Sequence, residues 1–147
     1  MEENRGFAID AGIGSLRAVF GLILAFVHGW QKLGGAAGFL FAGHAWAFVG
    51  LVRSLGFPLP AFFAVCAALS ESAGALCVAC GLLTRISAAL VTITMTVAAY
   101  TSLRTGAPIE LSVLYGISFL AITITGPGRF SLDSLLWRAH PVSRSAK

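Results

Sequence analysis

A single carboxylate, Glu71, stands in the middle of a long apolar stretch. No other charged residue lies within ten positions of it on either side, and the apolar run extends from about Pro60 to Leu83. A carboxylate at this depth in an apolar helix costs on the order of several kcal/mol unless it is paired, protonated or in contact with water. We therefore expect Glu71 to mark a polar site in the interior of the protein.

The candidate partners of Glu71 lie on one face of the first apolar stretch. At about 100° per residue, Arg17, His28 and Lys32 fall within roughly 60° of one another. Three small residues share this face: Gly14, Gly21 and Ala25. Small residues allow close contact between helices in lipid, so this face is predicted to pack inward and to carry the three cations with it. Glu71 is predicted to face this helix, with Arg17 as its first partner.

Two interpretations of these residues remain open. Glu71 and Arg17 could form a buried ion pair that only fixes the register of two helices. Alternatively, the polar groups could line a cavity that binds a quinone head group, an anion or a proton in transit. Glu110, at the start of the last apolar stretch, is either a carboxylate favoured by the helix dipole or a group that holds Lys32 or His28 at the mouth of the same cavity.

The three cysteines are interpreted as small packing residues. Cys77 and Cys80 form a CxxC pattern, but a thiolate is poorly solvated inside an apolar helix, which argues against a redox pair. Cys66 lies on the same stripe as these two, whereas Glu71 is rotated from Cys77 by about 120°. The cysteines are therefore not expected to face the acid, and redox activity of Cys77 and Cys80 stays an open question.

No metal site is predicted. The three histidines are dispersed along the chain: His28, His44 and His140. A metal or haem ligand set would need several of these side chains to converge. A metal or haem site formed by His28 beside Glu71 or Glu110 is a weaker alternative.

Composition determines the class of protein that presents these residues. Of the 147 residues, 57% are hydrophobic and only 11% are charged, which is too few charges for a water-soluble surface. The net charge of +4 comes from single basic residues at the ends of apolar runs, so it does not indicate nucleic-acid binding. The chain is predicted to be an all-α integral membrane four-helix bundle that forms a single domain over residues 1–147.

The elements follow from the apolar runs and their breaks. Membrane spans are predicted at residues 13–33, 60–83, 86–103 and 110–125. Glycine-rich turns from Gly34 onward lead to a short interfacial or re-entrant helix between spans 1 and 2. A short amphipathic C-terminal helix is predicted after the break at residues 126–129, and residues 140–147 are expected to be a flexible tail.

Basic residues predict the orientation. With four spans, the side that holds both termini carries six cations: Arg5, Arg85, Arg129, Arg138, Arg144 and Lys147. The other side carries three: Lys32, Arg53 and Arg104. The positive-inside rule therefore predicts that both termini are cytoplasmic.

Several motifs, taken in order, resemble the DoxX family of small four-helix membrane proteins. They are Leu16-Arg17, His28-Gly29-Trp30-Gln31-Lys32, Gly56-Phe57-Pro58-Leu59-Pro60, Glu71 with Gly74, Gly81-Leu82-Leu83-Thr84-Arg85, Glu110, and Gly126-Pro127-Gly128-Arg129-Phe130-Ser131-Leu132-Asp133. The resemblance covers nearly the whole chain and implies a protein of the bacterial cytoplasmic (inner) membrane. It further implies a membrane subunit or accessory component of an oxidoreductase system linked to quinone or to thiol and sulfur chemistry.

Taken together, these features predict an intramembrane cavity lined by five residues: Arg17, His28, Lys32, Glu71 and Glu110. Glu71 and His28 are the candidate catalytic acid and base, and a quinone is the candidate cofactor. The expected partners are the lipid bilayer and other membrane or peripheral oxidoreductase subunits, with a homo-oligomer as an open alternative. A non-catalytic scaffold subunit of a larger membrane complex is the second hypothesis. A small-solute transporter is the third hypothesis. Four-helix exporters carry their key acid in the first helix, whereas Glu71 lies in the second predicted span, which argues against this hypothesis.

Overall fold

The computed structural model describes residues 2–139, which are helical throughout apart from short connections. The helices are α1 (Glu2–Ile23), α2 (Trp30–Ala42), α3 (Ala47–Ser54), α4 (Pro60–Leu69), α5 (Ala75–Cys80), α6 (Thr84–Thr105), α7 (Glu110–Thr125) and α8 (Leu132–Ala139). Two π-helical segments join helices end to end: the first π segment, Leu24–Gly29, joins α1 to α2, and the second π segment, Ser70–Gly74, joins α4 to α5. The predicted flexible tail, residues 140–147, lies outside the described residues.

Three helical stretches are long and apolar enough to cross a membrane: Gly6–Ala42, Pro60–Cys80 and Thr84–Thr105. The fourth predicted span coincides with α7, whose 16 residues rise about 24 Å. That is shorter than the roughly 30 Å hydrocarbon core of a bilayer. The prediction of an all-α membrane protein is thus confirmed, and α7 is a shorter apolar helix that packs along α6.

The first helical stretch is longer than predicted. Its helix continues through Gly34 and Gly35 and ends at Ala42, where Gly43 adopts a left-handed conformation (φ 64°). The predicted turn at Gly34 is therefore wrong. A Cβ at Gly35 would lie 2.5 Å from the indole Nε1 of Trp46, so glycine is needed there for close packing inside a helix rather than for a turn.

The second and third spans also have slightly different ends. The second ends at Cys80 rather than residue 83, because Gly81 adopts a left-handed conformation (φ 75°). The third begins at Thr84 rather than residue 86.

Two apolar clusters hold the helices together. The larger cluster is formed by α5, α6, α7 and the first π segment: Leu24, Ala25, Ala75, Val78, Ala88, Val91, Met95, Tyr115, Phe119 and Ile122. The smaller cluster packs α3 on α4 through Val49, Val52 and Ala64. The predicted inward packing of the small-residue face is confirmed, since Ala25 is buried and a Cβ at Gly21 would lie 2.6 Å from the carbonyl oxygen of Ala75.

The start of α1, the turn before α6 and the segment that leads into α8 lie at one end of the molecule. The Phe7 ring packs edge-on against Phe130, and the Asp133 side chain binds the backbone of Leu83 and Thr84. Arg129 lies near Asp10 of α1 at the same end. A short helix between the first and second spans and a short C-terminal helix were both predicted, and α3 and α8 confirm them as helices.

Candidate intramembrane binding site

The two π segments face each other at the middle of the molecule. A Cβ at Gly29 would overlap the carbonyl group of Glu71 and lie 2.7 Å from the Cα of Ser72. Only a glycine allows the two backbones to approach this closely. Wide π turns are rare and often occur at functional sites, and here two of them meet beside the buried acid.

Glu71 forms an ion pair with Lys32. Its Oε1 lies 2.5 Å from the Lys32 Nζ, and the carboxylate is 2% exposed while the lysine side chain is 30% exposed. The predicted orientation of Glu71 toward the first helical stretch is therefore confirmed. The predicted partner is wrong, because Lys32 and not Arg17 compensates the buried charge.

Arg17 is bound at the other end of the first helical stretch. Its guanidinium donates hydrogen bonds to the carbonyl oxygens of Pro127 and Phe130, and its side chain is buried. Fifteen residues of helix separate Arg17 from Lys32, a rise of about 22 Å, so one carboxylate cannot pair with both. Arg17 thus attaches the segment before α8 to α1.

His28 and Glu110 lie away from the ion pair. The His28 ring packs edge-on against Tyr115 of α7, with 5.9 Å between ring centroids. Glu110 is exposed in the first turn of α7, where the helix dipole favours a carboxylate, and it forms no ion pair with any residue in the described part of the chain.

A groove of about 850 Å³ lies directly beside the ion pair. Its walls come from α3, α4, the second π segment and α6, and they are largely apolar. Of the described residues that line it, only Lys32 and Glu71 carry a charge. Of the five residues predicted to line a common cavity, the structure brings these two to the groove and places Arg17, His28 and Glu110 outside it.

The groove lies between α4 and α6. Small side chains line it from both helices, including Ala67 on α4 and Ala98 on α6. The hydroxyls of Ser70 and Thr94, which also line it, are hydrogen-bonded at 3.0 Å. Helix α6 packs on the second π segment and α5 but makes little contact with α4, so the two helices leave a gap.

Helix α3 covers one side of the groove, at the ion pair. Its residues Phe48, Leu51 and Val52 line the groove, and the buried face of α3 packs on Ala64. The Phe48 ring lies 4.9 Å from the Lys32 Nζ, which is cation–π distance. The charged end of the groove is therefore in direct contact with its cover.

Cys66 lines the same groove as Glu71. The expectation that the cysteines do not face the acid stays a prediction. Cys77 and Cys80 do not line the groove, and all three cysteines are free thiols. Within residues 2–139, no cluster of three His, Cys, Asp or Glu side chains has the geometry of a metal site.

Sequence reasoning missed several residues that shape the site. Ser70, Thr94 and Phe48 line the groove, and none of them is among the candidate site residues predicted from the sequence. The polar pattern Ser70-Glu71-Ser72 in an apolar helix is the one signal in the sequence that coincides with the second π segment.

Asp133 is a further residue whose role differs from its sequence pattern. It lies in the first turn of α8, and its carboxylate accepts hydrogen bonds from the Leu83 and Thr84 amides and from the Thr84 hydroxyl. Burial alone would raise the pKa of Asp133, but these hydrogen bonds, with a smaller contribution from Arg17, outweigh burial and lower the pKa. Asp133 therefore caps the start of α6.

The fold and the site together define a helical membrane protein with a charged pair buried beside an apolar groove. The chain belongs to the DoxX family, whose profile matches residues 12–104. The matched region contains both partners of the ion pair and all residues that line the groove. The last part of the resemblance, from Glu110 to Asp133, lies beyond the match. A search of curated proteins and a search of solved structures found no significant match.

Proposed function

We propose that this DoxX protein binds a membrane quinone in the groove and serves as a membrane component of an oxidoreductase system. The observation that carries the proposal is the Lys32–Glu71 pair, which supplies the only charges among the described residues that line the groove. A quinone has a flat, largely apolar ring that carries carbonyl oxygens. Such a ligand matches an apolar groove whose charged group is the Lys32–Glu71 pair.

The chemistry of the pair suits a quinone oxygen. The Lys32 ammonium has three donors, and one of them is directed to Glu71. The lysine is partly exposed, so a remaining donor can reach a quinone carbonyl oxygen. Reduction of a quinone to a quinol takes up two electrons and two protons. A carboxylate beside the ring is a suitable group to exchange those protons, and the electrons would come from a partner oxidoreductase subunit.

Of the five residues predicted to line the cavity, two act on the ligand in this proposal. Lys32 would hydrogen-bond the quinone and Glu71 would exchange protons. The other three, Arg17, His28 and Glu110, would not contact the ligand.

The proposed setting is the bacterial cytoplasmic membrane, with four spans and both termini in the cytoplasm. The placement of the start of α1 beside the segment that leads into α8 supports a common side for these elements. Arg85 and Arg129 lie at that same end, as the positive-inside rule requires of a cytoplasmic side.

The test is to replace Glu71→Gln and to measure quinone binding in lipid nanodiscs and quinone-linked turnover in native membranes. The amide keeps the shape of the side chain but cannot accept a proton, so turnover should fall by about 100-fold or more, in line with the usual loss for a general acid or base. Glu110→Gln is the matched control, because it removes a carboxylate that lies outside the groove. Equal turnover in the wild type and the folded Glu71→Gln variant would contradict the proposal.

A non-catalytic scaffold is the second candidate function. It is favoured by the fact that Lys32 and Glu71 satisfy each other, as a pair that only fixes helix register would. A scaffold would co-purify with a larger membrane complex and contain no quinone, whereas the leading proposal predicts extractable quinone after gentle purification.

A further inference from the structure

Exposed apolar residues of α4 and α6 border the groove. Three residues that line it are strongly exposed: Leu69 is 48% exposed, Leu90 51% and Ile93 62%. They lie on α4 and α6, within stretches long and apolar enough to span a membrane. Exposed apolar side chains at this position contact lipid tails, so the gap they border, which we call the lateral portal, connects the groove with the lipid phase.

Protein contacts border the groove on other sides. The hydroxyls of Ser70 and Thr94 are hydrogen-bonded where the second π segment meets α6. Helix α3 is held in place by the burial of Val49 and Val52 against Ala64. Of the large apolar residues that line the groove, the three at the lateral portal are more exposed than Leu51 (37%) and Phe63 (36%).

We infer that the ligand enters the groove from the bilayer through the lateral portal, and that its apolar tail stays in the portal while its head meets Lys32. This inference rests on the proposed function and adds the route and the tail requirement. The ligand is thus a lipid-soluble molecule with an oxygen acceptor at its head and an apolar tail, rather than a water-soluble solute.

The dimensions of the groove set how much of the ligand is enclosed. On α6 the lining residues extend from Leu90 to Thr101, a rise of about 16 Å. A ring and the first units of a tail fit within that length, and the rest of a long tail would extend into lipid. The portal side chains should therefore affect the binding of a quinone with a tail but not of one without a tail. The ion pair should contribute equally to the binding of both.

Ile93 and Ile117 provide a matched pair of variants. Both are isoleucines on apolar helices, 62% and 64% exposed, but Ile93 lines the groove and Ile117 does not. The binding of a decyl-tailed benzoquinone and of a methyl-substituted benzoquinone without a tail is measured in phosphatidylcholine nanodiscs. Ile93→Trp should weaken binding of the tailed quinone by about tenfold and leave the tail-less quinone unchanged. Ile117→Trp should change neither.

The outcomes separate the two proposals. Tailed-quinone binding that is unchanged by Ile93→Trp, or weakened equally by Ile117→Trp, overturns the lateral portal while quinone binding itself stands. No binding of either quinone to the wild type, or binding of both that is unchanged in the folded Lys32→Met, Glu71→Gln variant, overturns the proposed function and the portal with it.

Cys66 offers an independent measurement inside the groove. In a Cys77→Ala, Cys80→Ala background it is the single thiol, and it lines the groove. A maleimide with an alkyl tail, delivered in the bilayer, should label Cys66, and the tailed quinone should slow that labelling. A charged, membrane-impermeant maleimide should label it at least tenfold more slowly. Equally fast labelling by the charged reagent would show an aqueous route and overturn the inference.

Discussion

Removal of the lysine from the ion pair should destabilise the protein strongly. Lys32→Met keeps a long side chain but leaves Glu71 buried at 2% exposure without its cation. Breaking a buried pair by removing one partner typically costs about 3–5 kcal/mol. Because Lys32 itself is 30% exposed, part of its interaction is screened, and we expect the low end of this range, about 3 kcal/mol.

The double variant Lys32→Met, Glu71→Gln identifies the origin of this loss. It removes both charges, and replacement of a whole buried pair is often nearly neutral. We therefore expect it to regain about 2 kcal/mol relative to Lys32→Met, which gives a large coupling energy in a double-mutant cycle. The measurement is denaturant unfolding in mixed micelles, with retained helical signal as the test of folding. A loss below about 1 kcal/mol in Lys32→Met, or additive effects in the double variant, would refute the importance of the pair.

Two further predictions concern the elements that position the site. Gly29→Ala should lower the free energy of unfolding by about 1–3 kcal/mol, because the added Cβ would overlap the Glu71 carbonyl. Gly34→Ala lies in the same helical stretch, and its Cβ would meet open space among the described residues. It should raise the free energy of unfolding by roughly 0.5–1 kcal/mol in the same assay. A similar cost for both variants would argue against the close contact of the two π segments. The Asp133 cap should make the stability of the protein depend on pH, because folding lowers the pKa of Asp133. The contribution of the cap is fully present above the unfolded pKa of about 3.9, and it is lost as the pH falls through the lower pKa of the folded state. Asp133→Asn should remove that pH dependence of the unfolding free energy, measured from pH 5 to 2. A pH profile that Asp133→Asn leaves unchanged would contradict the role of Asp133 as the cap of α6.

Much of the fold could be predicted from residue types and their order. The apolar runs gave the helical class, and the span at residues 110–125 agrees with α7. The small residues of the first helical stretch identified the face that packs inward, because lipid supplies no hydrophobic force and close contact must come from small side chains. The isolation of Glu71 indicated an interior polar position, since a carboxylate facing lipid would be too costly.

The ion pair partner depended on tertiary structure. Helical-wheel angles place Arg17, His28 and Lys32 on one face but do not give the relative height of two helices. The contact between Gly29 and the Glu71 backbone fixes that height and brings Lys32 to the acid. Arg17, which the sequence pattern predicts as the first partner, instead donates hydrogen bonds to the carbonyl oxygens of Pro127 and Phe130, more than 100 residues later in the chain.

The sequence by itself determined that this chain is an apolar, helical protein of the DoxX family with one acid buried among its helices, because composition, run lengths and motif order are local properties. Only the tertiary structure decided that Lys32 is the partner of Glu71 and that an apolar groove lies beside them. Those features arise where α3, α4 and α6 border a common space and where two π segments interrupt the regular helical turn. A pattern with a period of 3.6 residues cannot represent a change of turn or the distance between helices that are far apart in sequence.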